Sequence, residues 1–397
     1  GIELSVRGGG HSSAGFSTSD GGIVLDLSLM KGVWVDPGDK TARAQAGALW
    51  GDVDRETQAY GLAVPGGQIS HTGIAGLTLG GGVGWLSRQH GLTIDNLVSV
   101  DLVTADGRLV TASATQHPEL FWGIRGGSGN FGVVVSFEYR LHDVGPLVIG
   151  GPVIYGIDDA EAVLRNVREF MATAPNEVSL WIDHTHVPPQ PPFPEDQWGT
   201  SVIAVVPFCS DLEQGRELVA PLTGFGSPIA NMNGPIPYTV LQSALDEVDP
   251  HGNRYWERGD YLTGLTDGVI DALVSGARSM TSPRNEILVF PMGGAIAKVP
   301  ADATAFGDRT APWSVWVVGQ WIDPQEDEIH RDWTRAVSES LDPWKTGTVY
   351  VNAIGGDVLE ARKAAAYGGV EKLERLRRLK RTWDPENLFR LNPNIAP

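Results

Sequence analysis

Glycine clusters dominate the first third of this 397-residue chain. Glycine has no Cβ, so it adopts positive φ angles and lets a backbone come close to another backbone or to a ligand. Successive amides in such turns form concave sites that bind anions. Arg7 and Arg125 each lie within one of these clusters. A single cluster is compatible with tight turns in a twisted β-domain, whereas four together favour a cradle for a phosphate-bearing ligand. The first cluster is RGGGHSS (7–13), the second is the long run 67–96, the third is WGIRGGSGNFGVV (122–134), and a milder fourth, PGG (65–67), opens the second.

Charge and hydropathy exclude several classes of partner. The formal net charge of −18 repels phosphate backbones, and Lys and Arg form no basic stripe, so nucleic acid is not expected. No run approaches the roughly 18 apolar residues that span a bilayer, so no membrane contact is expected. The single cysteine, Cys209, excludes an internal disulfide framework. These features favour a cytoplasmic protein, with a removed secretion signal left open.

The length of the chain suggests more than one hydrophobic core. Glycine clusters also become less frequent after about residue 145. We expect a glycine-rich first domain over 1–145, a second domain over 146–354 and a C-terminal segment over 355–397. The ADG at 105–107 predicts a hairpin turn between two strands of the first domain. In the second domain, periodicity predicts strands over 201–208 and 314–322 and helices over 158–174, 266–280 and 326–341. One charged helix is expected over 357–382. The predicted fold class is α+β.

Three common site motifs are not matched. No Gly-Lys pair occurs, which excludes a P-loop. GGGVG at 80–84 does not form the first turn of a βαβ unit, so a Rossmann site is not favoured. The stretch GHSSAG misses the GxSxG nucleophile pattern by one position. The alternating pair His184 and His186 is a weak metal signal, and no metal site is expected.

Five segments, in order along the whole chain, resemble the FAD-linked oxidases of the berberine-bridge-enzyme type, within the vanillyl-alcohol-oxidase/PCMH flavoprotein superfamily. They are RGGGHS, TGIAGLTLGGGVGWLSR with GLTIDN, ELFWGIRGGSGNFGVV, YVN and DPENLFRLNPNI. The resemblance implies a PCMH-type FAD-binding domain and a substrate domain whose antiparallel sheet is covered by helices. It also implies that the C-terminal segment returns to the FAD domain, and that a strand–helix–strand segment precedes RGGGHS; this sequence begins almost at that motif.

The resemblance further implies how FAD is held. The RGGGHS loop binds the pyrophosphate through its amides, and His11 is joined covalently to the flavin. Many relatives carry a second, cysteinyl link, but Ile69 occupies that position here, so a single link is expected. Thr72 stands where a small side chain admits oxygen, and Asn392 lies near the flavin ring. The expected FAD-binding residues are Arg7, Gly8, Gly9, Gly10, His11, Ser12, Thr72, Gly73, Gly76, Gly81, Gly82, Gly84, Trp85, Asn130, Gly132, Val133, Asn392 and Asn394.

The activity implied is hydride transfer from an alcohol, sugar or secondary metabolite to FAD, with O₂ as acceptor and H₂O₂ as product. A base removes the substrate proton. The positions that carry the base in relatives hold Trp316 and Ala353 here. The remaining candidates are Tyr350, Gln320 and Asn352, with Tyr350 first because a phenol can be deprotonated when a suitable neighbour lowers its pKa.

Two alternatives to the oxidase stay open at this point. One is a dehydrogenase of the same fold that passes electrons to an acceptor other than O₂. The other is a catalytically impaired FAD-binding protein, which the absence of the usual bases favours. The substrate and the oligomeric state are left open.

Overall fold

The computed structural model describes residues 2–190, 193–354 and 359–397. The strands in this part of the chain are β1 Leu4–Arg7, β2 Ile23–Asp26, β3 Val33–Asp36, β4 Thr41–Gln45, β5 Leu62–Ala63, β6 Leu97–Val103, β7 Leu109–Ser113, β8 Val133–Arg140, β9 His142–Asp143, β10 Leu147–Gly150, β11 Val153–Gly156, β12 Val178–His186, β13 Ser201–Cys209, β14 Ala230–Asn231, β15 Gly234–Pro237, β16 Arg254–Leu262, β17 Glu286–Pro291 and β18 Trp313–Trp321. The helices are α1 Trp50–Gln58, α2 Ile74–Gly80, α3 Ser87–His90, α4 Pro118–Ile124, α5 Ala160–Met171, α6 Gly215–Thr223, α7 Tyr238–Ser243, α8 Asp267–Arg278, α9 Ala295–Lys298, α10 Asp327–Ser340, α11 Leu359–Ala366 and α12 Val370–Trp383.

The first part of the chain forms a five-stranded antiparallel sheet in the order β3-β4-β8-β6-β7. The predicted hairpin is confirmed, because β6 and β7 pair across a turn in which Gly107 has φ 82°. Beside this sheet, β1 and β2 pair in parallel, and β1 leads directly into the first glycine cluster.

The second part forms a larger antiparallel sheet in the order β14-β11-β13-β12-β17-β18-β16, with β10 and β15 attached at β13. Helices α5, α8 and α10 cover one face, because their apolar stripes meet alternate strand residues. Leu164, Leu273 and Trp333 pack there against Ile182 and Val317. The three helices lie within their predicted ranges, and the α+β class with a helix-covered antiparallel sheet is confirmed.

The opposite face of the large sheet points toward the glycine-rich part of the chain. Trp181, Phe290 and Trp316 lie on this face and pack with Trp85 and Ile94 from the second glycine cluster. The site described below forms where this face meets the glycine loops.

The expected single helix over 357–382 is wrong in its described part, because two helices, α11 and α12, replace it. Gly368 and Gly369 separate them with φ of 74° and 111°, and their N–H groups donate to Ala365 and Ala364 of the preceding helix. Residues 357 and 358 lie outside the described residues. Helix α12 then packs Leu376 into the core of the first sheet. The domain boundaries stay a prediction.

Candidate active site

A cavity of about 650 Å³ lies between the glycine loops, the inner face of the large sheet and the C-terminal tail. The loops contribute residues of all three glycine regions, and the sheet contributes Glu257, Leu288, Trp316 and Val318. The cavity is therefore built from segments far apart in the sequence.

Two glycine loops touch backbone to backbone at the cavity wall. A Cβ on Gly9 would lie 2.4 Å from the Cα of Gly73 and 2.5 Å from its N. Gly10 has φ 71°, a conformation that favours glycine. The N–H groups of Gly9, Gly10 and His11 have no hydrogen-bond partner among the described residues. Because the loop lines the cavity, these donors suit an anionic group such as a phosphate.

Three histidines lie together beside this loop. The ring centroids of His11 and His71 are 5.2 Å apart, and those of His71 and His251 are 4.8 Å apart. The His11 side chain opens into the cavity, and the protein that surrounds it there lowers its pKa to about 4, with His71 and His251 acting in the same direction. The His11 imidazole is therefore neutral near pH 7 and keeps a nitrogen lone pair for bonding.

Eleven of the predicted FAD-binding residues line the cavity, and seven do not. The first group is Gly8, Gly9, Gly10, His11, Ser12, Thr72, Gly73, Gly76, Gly132, Val133 and Asn392. The second group is Arg7, Gly81, Gly82, Gly84, Trp85, Asn130 and Asn394. Ile69 lines the cavity as well, whereas Cys209 is buried in a different cluster.

Three of the residues that do not line the cavity are packed or bonded nearby. A Cβ on Gly84 would lie 1.9 Å from the carbonyl oxygen of Gly66, so only glycine fits there. Asn130 is fully buried and ties the third glycine cluster to the C-terminal tail, because it donates to Pro393 O and accepts from Ile395 N. Trp85 packs its ring against Trp181 in the core.

Asn392 is held at the cavity wall by its amide group. Its Nδ2 donates to the carbonyl oxygens of Gly129 and Phe389, each at 3.1 Å. Its Oδ1 is buried without a partner among the described residues. Such an orphaned acceptor suits an N–H group of a bound ligand.

The three predicted catalytic residues have different surroundings. Tyr350 lines the cavity, and its Oη accepts hydrogen bonds from Gly82 N and Asn352 Nδ2 at 2.9 and 3.0 Å. Burial raises the pKa of Tyr350 to about 12, so the phenol is neutral near pH 7. Gln320 lies away from the cavity wall, with its amide bound to Val248 O and Tyr255 Oη. The base roles stay predictions.

Strand β16 and the loop before it carry carboxyl groups that sequence reasoning missed. Glu257 and Asp249 both line the cavity, and burial raises their pKa to about 7 and about 6. The alternating, aromatic-rich run RYWERGDYL at 254–262 is a strand signal that would have placed Glu257 on one face with Tyr255. No sequence pattern says which face that is.

The two histidines of the HxH pattern do not line the cavity. His184 is buried with Nδ1 near Ile287 O, and His186 lies near Ser201 Oγ. Across residues 2–190, 193–354 and 359–397, no cluster of three or more His, Cys, Asp or Glu is arranged to hold a metal ion. Within the same ranges, every helix is too short or too polar to cross a membrane.

Comparison with known proteins identifies the family. The sequence profile of the FAD binding domain family matches residues 1–113, and that of the family described as berberine and berberine like matches residues 349–396. An FAD-linked oxidoreductase of Dictyostelium discoideum is 32% identical over 401 residues, covering 100% of this chain and 84% of the relative. The (R)-6-hydroxynicotine oxidase of Paenarthrobacter nicotinovorans is 31% identical over 407 residues, covering 100% of this chain and 86% of the relative.

A solved structure agrees with these matches. The crystal structure of 6-hydroxy-D-nicotine oxidase from Arthrobacter nicotinovorans aligns with a TM-score of 0.85 at 25% identity, covering 100% of this chain and 87% of that chain. The resemblance predicted from the motifs is confirmed, and the chain belongs to the berberine-bridge-enzyme-like family of FAD-linked oxidoreductases.

Proposed function

We propose that this protein is an oxidase that holds FAD covalently through His11 and oxidises an alcohol, a sugar or a secondary metabolite with O₂. The observation that carries the proposal is the cavity wall itself, in which amides of the glycine loop that have no partner among the described residues adjoin the neutral imidazole of His11. Relatives named as oxidases add support. The acceptor O₂, the substrate and the covalent link are part of the proposal.

The residues of the cavity fit FAD chemically. The N–H groups of Gly9 and Gly10 would bind the pyrophosphate, and Asn392 Oδ1 would accept from the ring system. When bound, FAD supplies a hydride acceptor whose electrons pass to O₂. The Oη of Tyr350 already accepts two N–H groups, so its own proton is available to orient a substrate oxygen.

Ile69 concerns the number of covalent links to FAD, and Thr72 concerns the access of O₂. Ile69 has no atom that can bond to a flavin, so His11 would form the sole covalent link. Thr72 lines the cavity with a small side chain, which leaves space for O₂ beside the bound cofactor.

Acid precipitation of the purified protein tests this proposal. We expect the yellow flavin of the wild-type protein to stay with the pellet. In His11→Ala, the flavin should move to the supernatant or be missing from the purified protein. The matched control is His117→Ala, an exposed histidine away from the cavity, which should keep its colour in the pellet. Free flavin in the wild-type supernatant would exclude the covalent link.

A second measurement separates oxidase from dehydrogenase. The wild-type protein is reduced anaerobically by a panel of alcohols, sugars and amines, and then mixed with air-saturated buffer. We expect fast recovery of the yellow colour together with H₂O₂. Slow recovery would favour the dehydrogenase, and no reduction by any compound would favour the impaired FAD-binding protein.

A further inference from the structure

Strand β16 directs one carboxyl group into the cavity. In an antiparallel sheet, side chains opposite one another lie on the same face. Glu257 is opposite Val318 and Gly259 is opposite Trp316, and both β18 residues line the cavity. Glu257 therefore stands on the rigid inner face of the sheet, diagonal to the Trp316 ring.

Glu257 also contacts the loop that carries His11. The Ser13 hydroxyl donates a hydrogen bond to Glu257 Oε1, and Ser13 is two residues beyond His11. Among the described residues, no Lys or Arg forms an ion pair with the Glu257 or the Asp249 carboxyl. The carboxyl group thus lies between the sheet and the proposed cofactor loop, and it accepts a hydrogen bond from that loop.

Other cavity residues are less suited to accept a proton near pH 7. Tyr350 is a neutral phenol, and Asn352 is an amide bound to Leu77 O. His251 is exposed at the rim. Asp249 is the one rival carboxyl that lines the described part of the cavity, and it lies in the loop before β16 rather than in the sheet.

The surroundings of Glu257 set its charge. Burial raises its pKa to about 7, Asp249 in the preceding loop acts in the same direction, and Ser13 and Arg258 oppose them. Strand β18 presents the uncharged Trp316 and Val318 to it. Because the pKa is raised, the carboxylate predominates above about pH 7 and the neutral acid below it.

We propose that Glu257 accepts the proton that the substrate loses when it is oxidised. The proposal rests on the oxidoreductase activity proposed above. In the step, the substrate O–H or N–H bond breaks and its proton passes to a Glu257 oxygen. The adjacent C–H bond breaks with both electrons, which pass as hydride to FAD, and a C=O or C=N bond forms. The substrate loses two electrons, O₂ is the final oxidant, and Glu257 returns the proton to water.

The test compares Glu257→Gln with Glu257→Asp, Asp249→Asn and Glu138→Gln in flavin-loaded protein. Glu138 of β8 also accepts a hydrogen bond from a serine, Ser99, but it does not line the cavity, which makes it the matched control. The compound from the panel that reduces wild type is used anaerobically. We expect E257Q to slow flavin reduction by roughly 10²–10⁴-fold, the contribution typical of a general base. E257D should recover part of this rate, and E138Q should stay near wild type.

The pH profile and an infrared titration supply independent readouts. The wild-type reduction rate should rise with pH and level off above about 7, whereas the E257Q rate should be flat. The infrared difference between wild type and E257Q should contain a protonated carboxyl band that disappears over the same pH range.

Three results would overturn the assignment of Glu257. They are a near wild-type reduction rate in E257Q, a large loss in D249N without one in E257Q, and loss of bound flavin from E257Q. A wild type that no compound reduces would instead contradict the proposed oxidoreductase function, and the role of Glu257 would fall with it.

Discussion

At the scale of single residues, the contact between Gly9 and Gly73 holds two glycine loops together at the cavity wall. A Cβ added to either glycine would lie 2.4–2.6 Å from the Cα of the other. Both Cα atoms belong to the backbone, so they cannot rotate away as the end of a side chain can. The first two glycine clusters therefore approach as closely as they do because neither residue has a side chain.

We predict that Gly9→Ala separates the two loops and weakens flavin retention. The overpacked contact should also lower the free energy of unfolding by about 1–3 kcal/mol. The measurements are the ratio of flavin to protein absorbance and the urea unfolding midpoint. Gly156→Ala is the control, since nothing lies within 4 Å of its added Cβ. Full flavin content in G9A would show that the loops tolerate the extra atom.

At the scale of elements, the break between α11 and α12 decides how the C-terminal segment packs. Gly368 has φ 74°, and an added Cβ would lie 2.5 Å from the carbonyl oxygen of Gly307. The turn thereby lets α12 bring Leu373 and Leu376 into the core of the first sheet. The charged periodicity on both sides of the turn favours a continuous helix, and the glycine pair overrides it.

We predict that Gly368→Ala lowers the free energy of unfolding by about 1–3 kcal/mol, because it adds backbone strain and a clash with a backbone oxygen. Urea unfolding of flavin-loaded protein measures the change. The control is Gly264→Ala, which has no atom within 4 Å and no left-handed φ. An unfolding midpoint equal to wild type would mean that the turn relaxes at no cost.

At the scale of the whole molecule, buried carboxyls make stability depend on pH. Asp54 of α1 is buried, and its Oδ2 accepts from Gln242 Nε2 of α7 at 2.8 Å, which joins the glycine-rich part to the second part of the chain. Burial raises the pKa of Asp54 to about 7. The unfolded value is near 4, so the stability that the protonated form contributes is complete below about pH 4 and is lost as pH rises through about 7.

We predict that Asp54→Asn removes this loss of stability at higher pH, because an amide of the same shape does not ionise. Between about pH 4 and about pH 8, the unfolding free energy of D54N relative to wild type should increase by several kcal/mol, at about 1.4 kcal/mol per pKa unit. Urea unfolding across this pH range measures the difference. Asp106→Asn, at an exposed turn, should show no such trend. A pH-independent difference between D54N and wild type would place the Asp54 pKa near its ordinary value.

Much of the fold follows from local patterns in the sequence. The hairpin at 98–113 and the three helices that cover the large sheet were predictable because turn residues and apolar spacing act over a few residues. The long glycine motifs were sufficient for the family, since close backbone contacts require glycine wherever they occur. Most predicted FAD-binding residues of the first cluster line the cavity for the same reason.

The chemistry of the cavity was decided by the tertiary structure. Ser13 and Glu257 meet across 244 positions, and His11 meets His251 across a similar span. No local pattern indicates such contacts, because pairing of β16 with β18 selects which face of each strand is turned inward. The sequence determined which residues were available as donors, bases and nucleophiles. Burial and distant neighbours decided their protonation, because the pKa of a side chain depends on the solvent and charges that folding leaves around it.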